Sequence, residues 1–420
     1  MADETEQHLR EKIASQKASL ARLPSLRSIV DEKGLTSPET KARAQLIKEL
    51  SDNEDRLELL IESKRVAAAV RLQDELHPPE NSEDCPICLE TIKHVNCMTI
   101  TRFYCCGGLV CKQCSNERNK DKEEGLGDKF CGKCPLCREE LLSASKIGNI
   151  ISKHANKGRA WAQFDVGTCY LRGMNGFALD KDKGLQLIEE SADQRDPDGL
   201  LQLALLYKGG ALEWDESKYM YYLKEAADLG HQSAQLQLST IYHKCSNKKE
   251  HLHYITLAAS QGDPNACGKL GAYFVHSECG LTKSLVLAKH YFEKVFEYAG
   301  KVDPCVNSLS AYDLSCALLQ IGSVRYEGVL EIPGHSPIPR SLFWARTALK
   351  GDSASAKDHA NGLISMVENQ AKSHCTNCLR EAEGSAFKRC VRCLGAWYCG
   401  KECQVQHWKA GHKIDCIKRK

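Results

Sequence analysis

Apolar and small residues recur with a regular period between residues 150 and 365. Aromatic residues stand at positions 170, 207, 242 and 274, and Gly158, Gly230 and Gly262 each precede one of them by twelve positions. In the remaining copy, Arg195 stands where the glycine would be. A period of 32 to 37 residues is typical of stacked helix pairs, each too small to bury its own apolar face. The pattern therefore predicts a helical solenoid.

This stretch resembles the Sel-one-like repeat, a relative of the tetratricopeptide repeat. Its Ala, Leu-Gly-x-x-Tyr and Gly positions are visible, with the alanines at Ala192, Ala227 and Ala259. A worn fifth copy runs through the loop "EIPGHSPIP", and residues 296–316 fit the pattern poorly. The resemblance implies an extended surface for a protein partner, and we expect the recurring Tyr, Leu and Ala side chains to form solenoid core.

Residues 1–76 are rich in Glu, Lys, Arg, Ala and Leu, with breaks at Pro24 and at residues 34–38. This pattern predicts two helices without a core of their own. In the longer one a heptad seam is formed by Leu46, Leu50, Leu57 and Leu60, although Asn53 and Lys64 also fall on it. Two alternatives follow: a self-associating coiled coil, which would make the chain a homodimer, or a helix that is solvated or packs back on the chain.

The composition indicates in which cellular compartment the chain works and which classes of partner it binds. The 420 residues carry a net charge of +2, with no apolar run long enough for a signal peptide or a membrane span. We therefore expect no membrane partner and a location in the cytoplasm or nucleus. Thiols stay reduced there, so the 23 cysteines are better interpreted as metal ligands or small core residues than as disulfides. No groove-reading helix or aromatic platform is evident, and nucleic acid is not an expected partner.

The C-terminal cysteines have the spacing of two zinc sites. The stretch from residue 375 to 416 resembles a MYND finger, including its Tyr398-Cys399 step and the "HW" of its helix. The resemblance implies interleaved pairs, with one zinc on Cys375, Cys378, Cys399 and Cys403 and the other on Cys390, Cys393, His412 and Cys416. It also implies binding of short, often proline-containing peptides. His412 has the ligand spacing, so we expect His407 to be a surface residue of the helix.

A second cysteine array begins at "DCPICLE" and ends at "CPLCRE". It resembles a RING domain, the cross-braced fold with two zinc ions. The resemblance implies that the first zinc is held by Cys85, Cys88, Cys111 and Cys114. The second would take Cys134, Cys137 and two ligands from the middle of the array, where the family has Cys-x-His and this chain has Cys106-Gly107-Gly108.

Three repairs of this second site are open. Cys105 and Cys106 could both bind the metal, helped by the glycines that follow them. Alternatively, Cys106 could pair with Cys131, or the site could be defective. His94 and Cys97 lie too early in the motif and are expected to be loop residues.

The RING resemblance also implies contacts with a ubiquitin-conjugating enzyme. Three positions matter in that family, and this chain matches each one: an apolar residue inside the first pair, Ile87; a proline inside the last pair, Pro135; and a basic residue after the last cysteine, Arg138. No catalytic residue is required, because such a domain acts by orienting the ubiquitin-loaded enzyme. On the alternative interpretation, Ile87 and Pro135 only shape the zinc loops and Arg138 is a solvated charge.

The predicted fold is mainly α, a helical repeat solenoid flanked by two small cross-braced zinc modules and preceded by a helical region. The predicted boundaries are residues 1–80 for the helical region, 81–145 for the RING-like domain, 150–366 for the repeats and 372–420 for the MYND finger. About four zinc ions are expected, two in the MYND finger and one or two in the RING-like domain. The predicted function is a ubiquitin ligase that selects substrates through the repeats and the MYND finger; the alternative is a non-enzymatic adaptor.

Overall fold

A computed structural model describes residues 5–79, 82–123, 133–140, 144–209, 212–297, 304–381 and 387–417. The chain divides into two compact units. Unit I contains Met1–Ala67 and Gly262–Lys420, and unit II contains Ala68–Gln261. As expected, the fold is mainly α, with a small cysteine-rich module in each unit.

The N-terminal region forms three helices where the sequence pattern predicted two: α1 (Glu6–Leu20), α2 (Leu26–Lys33) and α3 (Pro38–Leu76). The prediction was wrong because Ser25 caps a short helix between the two breaks, its side chain accepting a hydrogen bond from the Ser28 N–H. Gly34 ends that helix with a φ of 84°. Apolar side chains of α2 and the start of α3 pack in unit I against Tyr326 and Ile332.

Beyond Ile47, the buried side of α3 in unit I is polar. Asn53, on the predicted heptad seam, is buried and donates to Gln16 of α1 over 2.9 Å. The buried Glu62 accepts from the Tyr291 hydroxyl over 2.5 Å. Leu46, also on that seam, is 42% exposed. In unit I, α3 is therefore the helix that packs back on the chain, and the homodimer stays a prediction.

The repeats consist of antiparallel helix pairs. In unit II, helices α5 to α11 are Ala144–Ala155, Ala160–Arg172, Lys181–Asp193, Pro197–Gly209, Glu216–Asp228, Gln232–Lys244 and Lys248–Ser260. In unit I, helices α12 to α16 are Pro264–His276, Leu285–Glu297, Pro304–Arg325, Ile338–Ala348 and Ala354–Ala371. Residues 304–316, which fit the repeat pattern poorly, belong to α14, a helix of 22 residues.

The recurring glycine has a backbone reason. Gly158, Gly230 and Gly262 have φ of 71°, 84° and 86° in the turns between helices, a region that L-residues avoid. Arg195, in the copy without glycine, takes the same conformation with a φ of 58°. The repeat geometry therefore holds even where the favoured residue is lost.

In three of the four copies the recurring aromatic residue also has a fixed place, because it stacks on an aromatic ring of the next helix. Ring centroids are 5.7 to 5.9 Å apart and the planes lie within 11° of parallel in the pairs Tyr207–Tyr222, Tyr242–Tyr254 and Phe274–Tyr291. The recurring Ala192, Ala227 and Ala259 are buried. These stripes are the core of the helix pairs, as expected.

Close helix packing in the repeats depends on small residues. A Cβ placed on Gly271 of α12 would lie 2.6 Å from Cε1 of Phe292, whereas Gly362 of α16 has open space beside it. We expect Gly271→Ala to destabilise unit I by about 1–3 kcal/mol through overpacking. Gly362→Ala should stabilise it by about 0.5–1 kcal/mol through helix propensity. Urea unfolding of the two variants checks this, and equal effects would contradict it.

Short antiparallel strand pairs complete the two modules. In unit II, β1 (Glu83–Asp84) pairs with β2 (Thr91–Ile92), and β3 (Ile100–Phe103) pairs with β4 (Gly108–Cys111) ahead of α4 (Lys112–Glu123). In unit I, β5 (Lys388–Arg389) pairs with β6 (Trp397–Tyr398), followed by α17 (Lys401–His407), a π-helical turn (Trp408–His412) and α18 (Lys413–Asp415). Among the described helices, none has the length and apolar character to cross a membrane.

Candidate metal centres

The structure brings the predicted ligands together in four clusters, in each of which the ligand atoms lie within 4.8 Å of one another. In unit II, site A is Cys85, Cys88, Cys111 and Cys114, and site B is Cys105, Cys106, Cys134 and Cys137. In unit I, site C is Cys375, Cys378, Cys399 and Cys403, and site D is Cys390, Cys393, His412 and Cys416. In both modules the pairs alternate along the chain between the two sites, which is a cross-brace.

The spacing of the ligand atoms fits zinc. Because a Zn–S bond is about 2.3 Å long, two thiolates on a tetrahedral zinc lie about 3.8 Å apart. Sulfur–sulfur distances here run from 3.5 to 4.0 Å, in the pairs Cys88–Cys111, Cys105–Cys137, Cys106–Cys134, Cys378–Cys399, Cys399–Cys403 and Cys390–Cys416. They are far too long for disulfides. The four clusters are thus compatible with four zinc ions.

A common backbone turn builds four of the ligand pairs. Each is Cys-x-x-Cys followed by a residue with a φ between 55° and 66°: Leu89, Arg138, Leu379 and Leu394. The N–H of that residue donates to the carbonyl of the first cysteine over 2.8 to 3.0 Å in all four turns. This turn aims both thiols of a pair at one point, so the motif by itself prepares half of a tetrahedral site.

The left-handed residue after each pair provides a test of this geometry. Leu89 is 78% exposed, so its side chain makes little packing contribution, while its φ of 62° costs a non-glycine residue roughly 1–2 kcal/mol. We expect Leu89→Gly to leave stability equal or higher, because glycine tolerates this φ. Leu89→Val should lower it by about 1 kcal/mol or more, because a β-branched residue is a genuine outlier there. Thermal unfolding would contradict the assignment if valine were tolerated better than glycine.

Hydrogen bonds prepare one thiol of site A, that of Cys85, for metal. Burial raises the pKa of the Cys85 thiol, but backbone N–H groups of Cys111, Cys88 and Ile87 outweigh it and lower that pKa to about 6. The Cys111 N–H lies 3.3 Å from the Cys85 sulfur. Since the thiolate is the metal ligand, these donors favour the binding form.

Site B is built on a tight loop that carries two adjacent cysteines. The Gly107 N–H donates to the Phe103 carbonyl over 2.8 Å, with a φ of 75° at Gly107. The Gly108 N–H points at the Cys106 sulfur, 3.4 Å away. The loop places Cys105 and Cys106 together with Cys134 and Cys137, as the vicinal repair requires. The alternative ligand Cys131 lies outside the described residues.

The space beside Gly108 is filled from the opposite side of the module. A Cβ on Gly108 would lie 2.6 Å from Cδ1 of Leu136. Leu136 belongs to the last Cys-x-x-Cys pair and joins the small apolar core of the module. A side chain at position 108 would displace it, so glycine is required opposite this leucine.

Three residues predicted to contact a conjugating enzyme lie on the two outer turns of this module. Ile87 is 46% exposed, Arg138 is exposed and Pro135 is half-buried. The loop residues His94 and Cys97 lie between β2 and β3.

In the C-terminal module the ligands themselves form the core. All four ligands of site D are buried, and Cys390, Cys393 and Cys416 pack with Ala396 and Tyr398. The Cys393 sulfur is 3.6 Å from His412 Nε2, close to the separation of about 3.6 Å that a Zn–S and a Zn–N bond predict. A hydrogen bond with the Cys393 thiol, aided by His412 and backbone N–H groups, lowers the pKa of Cys390 to about 3.

The expectation that His407 is a surface residue was wrong. It is 1% exposed, its Nδ1 lies 2.9 Å from the Tyr398 hydroxyl, and its ring stacks on His412 at 4.7 Å. Burial, followed by the nearby His412, lowers the pKa of His407 to about 3. The misjudgement arose because the turn of α17 that faces the core could not be chosen from the ligand spacing alone.

The C-terminal module is fixed to the helices before it within unit I. Arg346 of α15 donates to the Cys393 carbonyl over 3.0 Å and pairs with Glu368 of α16 over 2.8 Å. Glu368 also pairs with Arg389 of β5. Arg346 therefore holds the site D turn through the backbone carbonyl of Cys393.

The proline-containing loop of the degenerate fifth repeat is a second point at which the C-terminal module is attached to the helices of unit I. The Gly334 N–H donates to Asp415 over 2.7 Å. A Cβ on Gly411 would lie 2.7 Å from the Pro333 carbonyl carbon, so glycine is required there. Glu331, at the start of the loop, pairs with His374 over 2.6 Å. The repeat pattern could not identify this role, because the loop contacts residues about 80 positions away in the sequence.

Comparisons with known proteins agree with part of this assignment. Residues 375–416 match the family model of the MYND finger. A search of curated proteins returned no match. Among solved structures, a Sel1 repeat protein from Oxalobacter formigenes is 19% identical, with 56% of this chain and 86% of that chain covered and a TM-score of 0.38. The protective antigen c5321 of uropathogenic Escherichia coli, which displays an SLR fold, is 22% identical, with 53% and 48% covered and a TM-score of 0.36.

Proposed function

We propose that this zinc-binding protein is a RING-type ubiquitin ligase whose N-terminal module, residues 85–138, recruits a ubiquitin-conjugating enzyme. The observation that carries the proposal is the pair of outer turns on sites A and B. They present Ile87 on one turn and Pro135 and Arg138 on the other. An apolar contact, a proline and a basic side chain on two metal-fixed loops are the parts that the RING resemblance requires.

The way the module packs within unit II leaves these turns accessible. Its other loops face the repeat helices: the Cys97 N–H donates to Asp198 of α8 over 2.9 Å, and the Tyr104 ring stacks on Trp161 of α6 at 6.1 Å. Ile87 and Arg138, by contrast, are exposed. An incoming protein could therefore reach both turns without displacing the repeats.

The module would act by orientation, without a covalent intermediate. Ile87 and Pro135 would hold the conjugating enzyme through apolar contact. Arg138 would donate from its planar guanidinium to carbonyl groups of ubiquitin and the enzyme at once, which a lysine cannot do as well. Holding the ubiquitin tail in a reactive pose lowers the entropy cost of transfer. The zinc ions supply structure only, since each cluster provides four protein ligands and no open position.

Substrate selection would fall to the other modules. MYND fingers and Sel1-type repeats are generally protein-interaction modules. In this MYND finger, Val391, Val405 and Trp408 are exposed apolar side chains, suited to a short apolar or proline-containing peptide. We also propose a cytoplasmic or nuclear location, where the thiol ligands stay reduced.

The proposal is tested with the full chain loaded with zinc. It is mixed with a panel of ubiquitin-loaded conjugating enzymes, and discharge of ubiquitin onto free lysine is followed. We expect faster discharge with at least one enzyme of the panel. If a folded, zinc-loaded chain accelerates none of a broad panel, the ligase proposal fails and a non-enzymatic adaptor becomes the better account.

A further inference from the structure

Site B lies against the first repeat helices of unit II. Its loop, Phe103–Gly108, carries Cys105 and Cys106, and the Tyr104 side chain joins the apolar cluster of α5 and α6 that contains Ile151 and Val166. We propose that His154 of α5 and Trp161 of α6 are positioning residues for site B, so that metal binding there and folding of these helices are linked. The inference rests on zinc binding at site B.

The first contact is a hydrogen bond to the backbone that carries the ligand. His154 Nε2 lies 3.0 Å from the Tyr104 carbonyl. A carbonyl only accepts, so Nε2 carries the proton and donates. This carbonyl belongs to the peptide bond that leads into Cys105. The His154 side chain is 9% exposed, and a buried hydrogen bond of this kind restrains the orientation of that peptide plane.

The second contact is an aromatic stack. The Trp161 ring lies 6.1 Å from the Tyr104 ring and 5.2 Å from the His154 ring. The Arg102 guanidinium lies 4.8 Å from the Trp161 ring and donates to the Gly107 carbonyl over 3.0 Å. The loop is therefore held near both its ends. Helices α5 and α6 hold Tyr104, and Arg102 of β3 holds Gly107.

Gly107 shows how close this approach is. A Cβ at this position would lie 2.4 Å from Nη1 of Arg159 and 3.2 Å from the Trp161 ring. The backbone of the metal loop itself, rather than only its side chains, touches the repeat. A shift of α5 or α6 would therefore move the loop directly.

A second loop of the module fixes it to the same unit. Asp198 of α8 accepts from the Cys97 N–H over 2.9 Å and lies 3.1 Å from Nε2 of the buried His231, the residue just before α10. A Cβ on Gly230 would lie 2.3 Å from Nδ1 of His94. The module thus rests on the repeats at two separate places, which resists rotation about either one.

The adjacent ligands Cys105 and Cys106 explain why site B needs support from α5 and α6. Four other ligand pairs have two residues between the cysteines and the self-sufficient turn described above. Cys105 and Cys106 are adjacent, and successive side chains of an extended chain point to opposite sides. The unusual loop conformation that turns both thiols toward one metal is held from outside by α5 and α6. Residues that orient metal ligands from outside typically change metal affinity 10- to 100-fold.

The test uses the full chain and zinc release to a chromogenic chelator. We expect His154→Ala and Trp161→Ala each to release one zinc ion roughly 10–100 times faster while the release of the others is unchanged. His154→Gln, which keeps a donor, and Trp161→Phe, which keeps the stack, should largely restore slow release. His359→Ala and Trp214→Ala, which alter an exposed histidine and an exposed tryptophan, are the matched controls and should release zinc like the wild type.

Linkage requires the reverse effect as well. Cys106→Ala should increase hydrogen exchange in Ala144–Ala155 and Ala160–Arg172 while leaving α10 and α11 unchanged. Should Trp161→Ala fail to fold, the comparison of His154→Ala with His154→Gln decides the question. If both folded alanine variants hold four zinc ions and release them at the wild-type rate, the positioning role of His154 and Trp161 is overturned, while zinc binding at site B still stands. A wild-type chain that holds no zinc at site B would overturn its premise and the inference together.

Discussion

Replacing Ile87 or Arg138 by alanine is expected to reduce accelerated ubiquitin discharge by on the order of 10- to 100-fold. Ile87 supplies the exposed apolar contact on the site A turn, and Arg138 supplies a planar fork of donors directly after Cys137. Neither side chain is a metal ligand, so zinc content and folding should be unchanged. Arg138→Lys should retain only part of the activity, because the charge remains and the planar fork is lost.

Matched controls come from the other zinc module. Val391 is an exposed apolar residue between Cys390 and Cys393, and Arg380 is an exposed arginine after Cys378. Val391→Ala and Arg380→Ala should leave discharge onto free lysine unchanged. Equal loss in all four variants, or no loss in Ile87→Ala and Arg138→Ala, would show that the two turns of the N-terminal module do not recruit the enzyme.

Removing the metal from site D is expected to unfold the C-terminal module. Its apolar cluster consists of ligand side chains with Ala396 and Tyr398, so few apolar contacts remain without zinc. A structural zinc contributes on the order of 10 kcal/mol or more, which is comparable to the whole unfolding free energy of a typical domain. Cys390→Ala should therefore make residues 387–417 exchange freely in hydrogen-exchange mass spectrometry. Helices α12 and α13 should keep their protection.

Cys245→Ala is the control, because Cys245 is an exposed thiol outside the four clusters. Retained protection of residues 387–417 in Cys390→Ala would mean that packing on Arg346 and Gly334, rather than metal, holds the module.

Site C should lose zinc to a chelator before site D, since its Cys378 and Cys399 are exposed whereas all site D ligands are buried.

Features that depend on local spacing could be predicted from the sequence. The Cys-x-x-Cys pairs build their own turns, so each pair could be predicted from its spacing, whereas the sharing of one zinc by two pairs was implied by the resemblance to the two zinc-finger families. The repeat helices follow from a glycine and an aromatic residue whose roles are local: a left-handed turn at Gly230 and a ring stacked on the next helix at Tyr242.

Features that depend on distant packing could not be predicted. The polar side chains of α3 showed no pattern that would reveal burial of Asn53 and Glu62. Asn53 donates to Gln16 of α1, and Glu62, besides its local pair with Arg65, accepts from Tyr291, which lies far along the chain. The loop Glu331–Ser336 looked like an interruption of a repeat, yet it fixes the MYND finger through Gly334 and Asp415. Leu136 filling the space beside Gly108 likewise required the folded module.

The most direct test of the central claim, that each module holds two complete zinc sites, is the zinc number of the full chain by native mass spectrometry. The account predicts four zinc ions per chain, two in each module, because Cys105 and Cys106 complete site B. Three zinc ions in a folded chain, with Cys106→Ala also holding three, would contradict it and identify site B as defective.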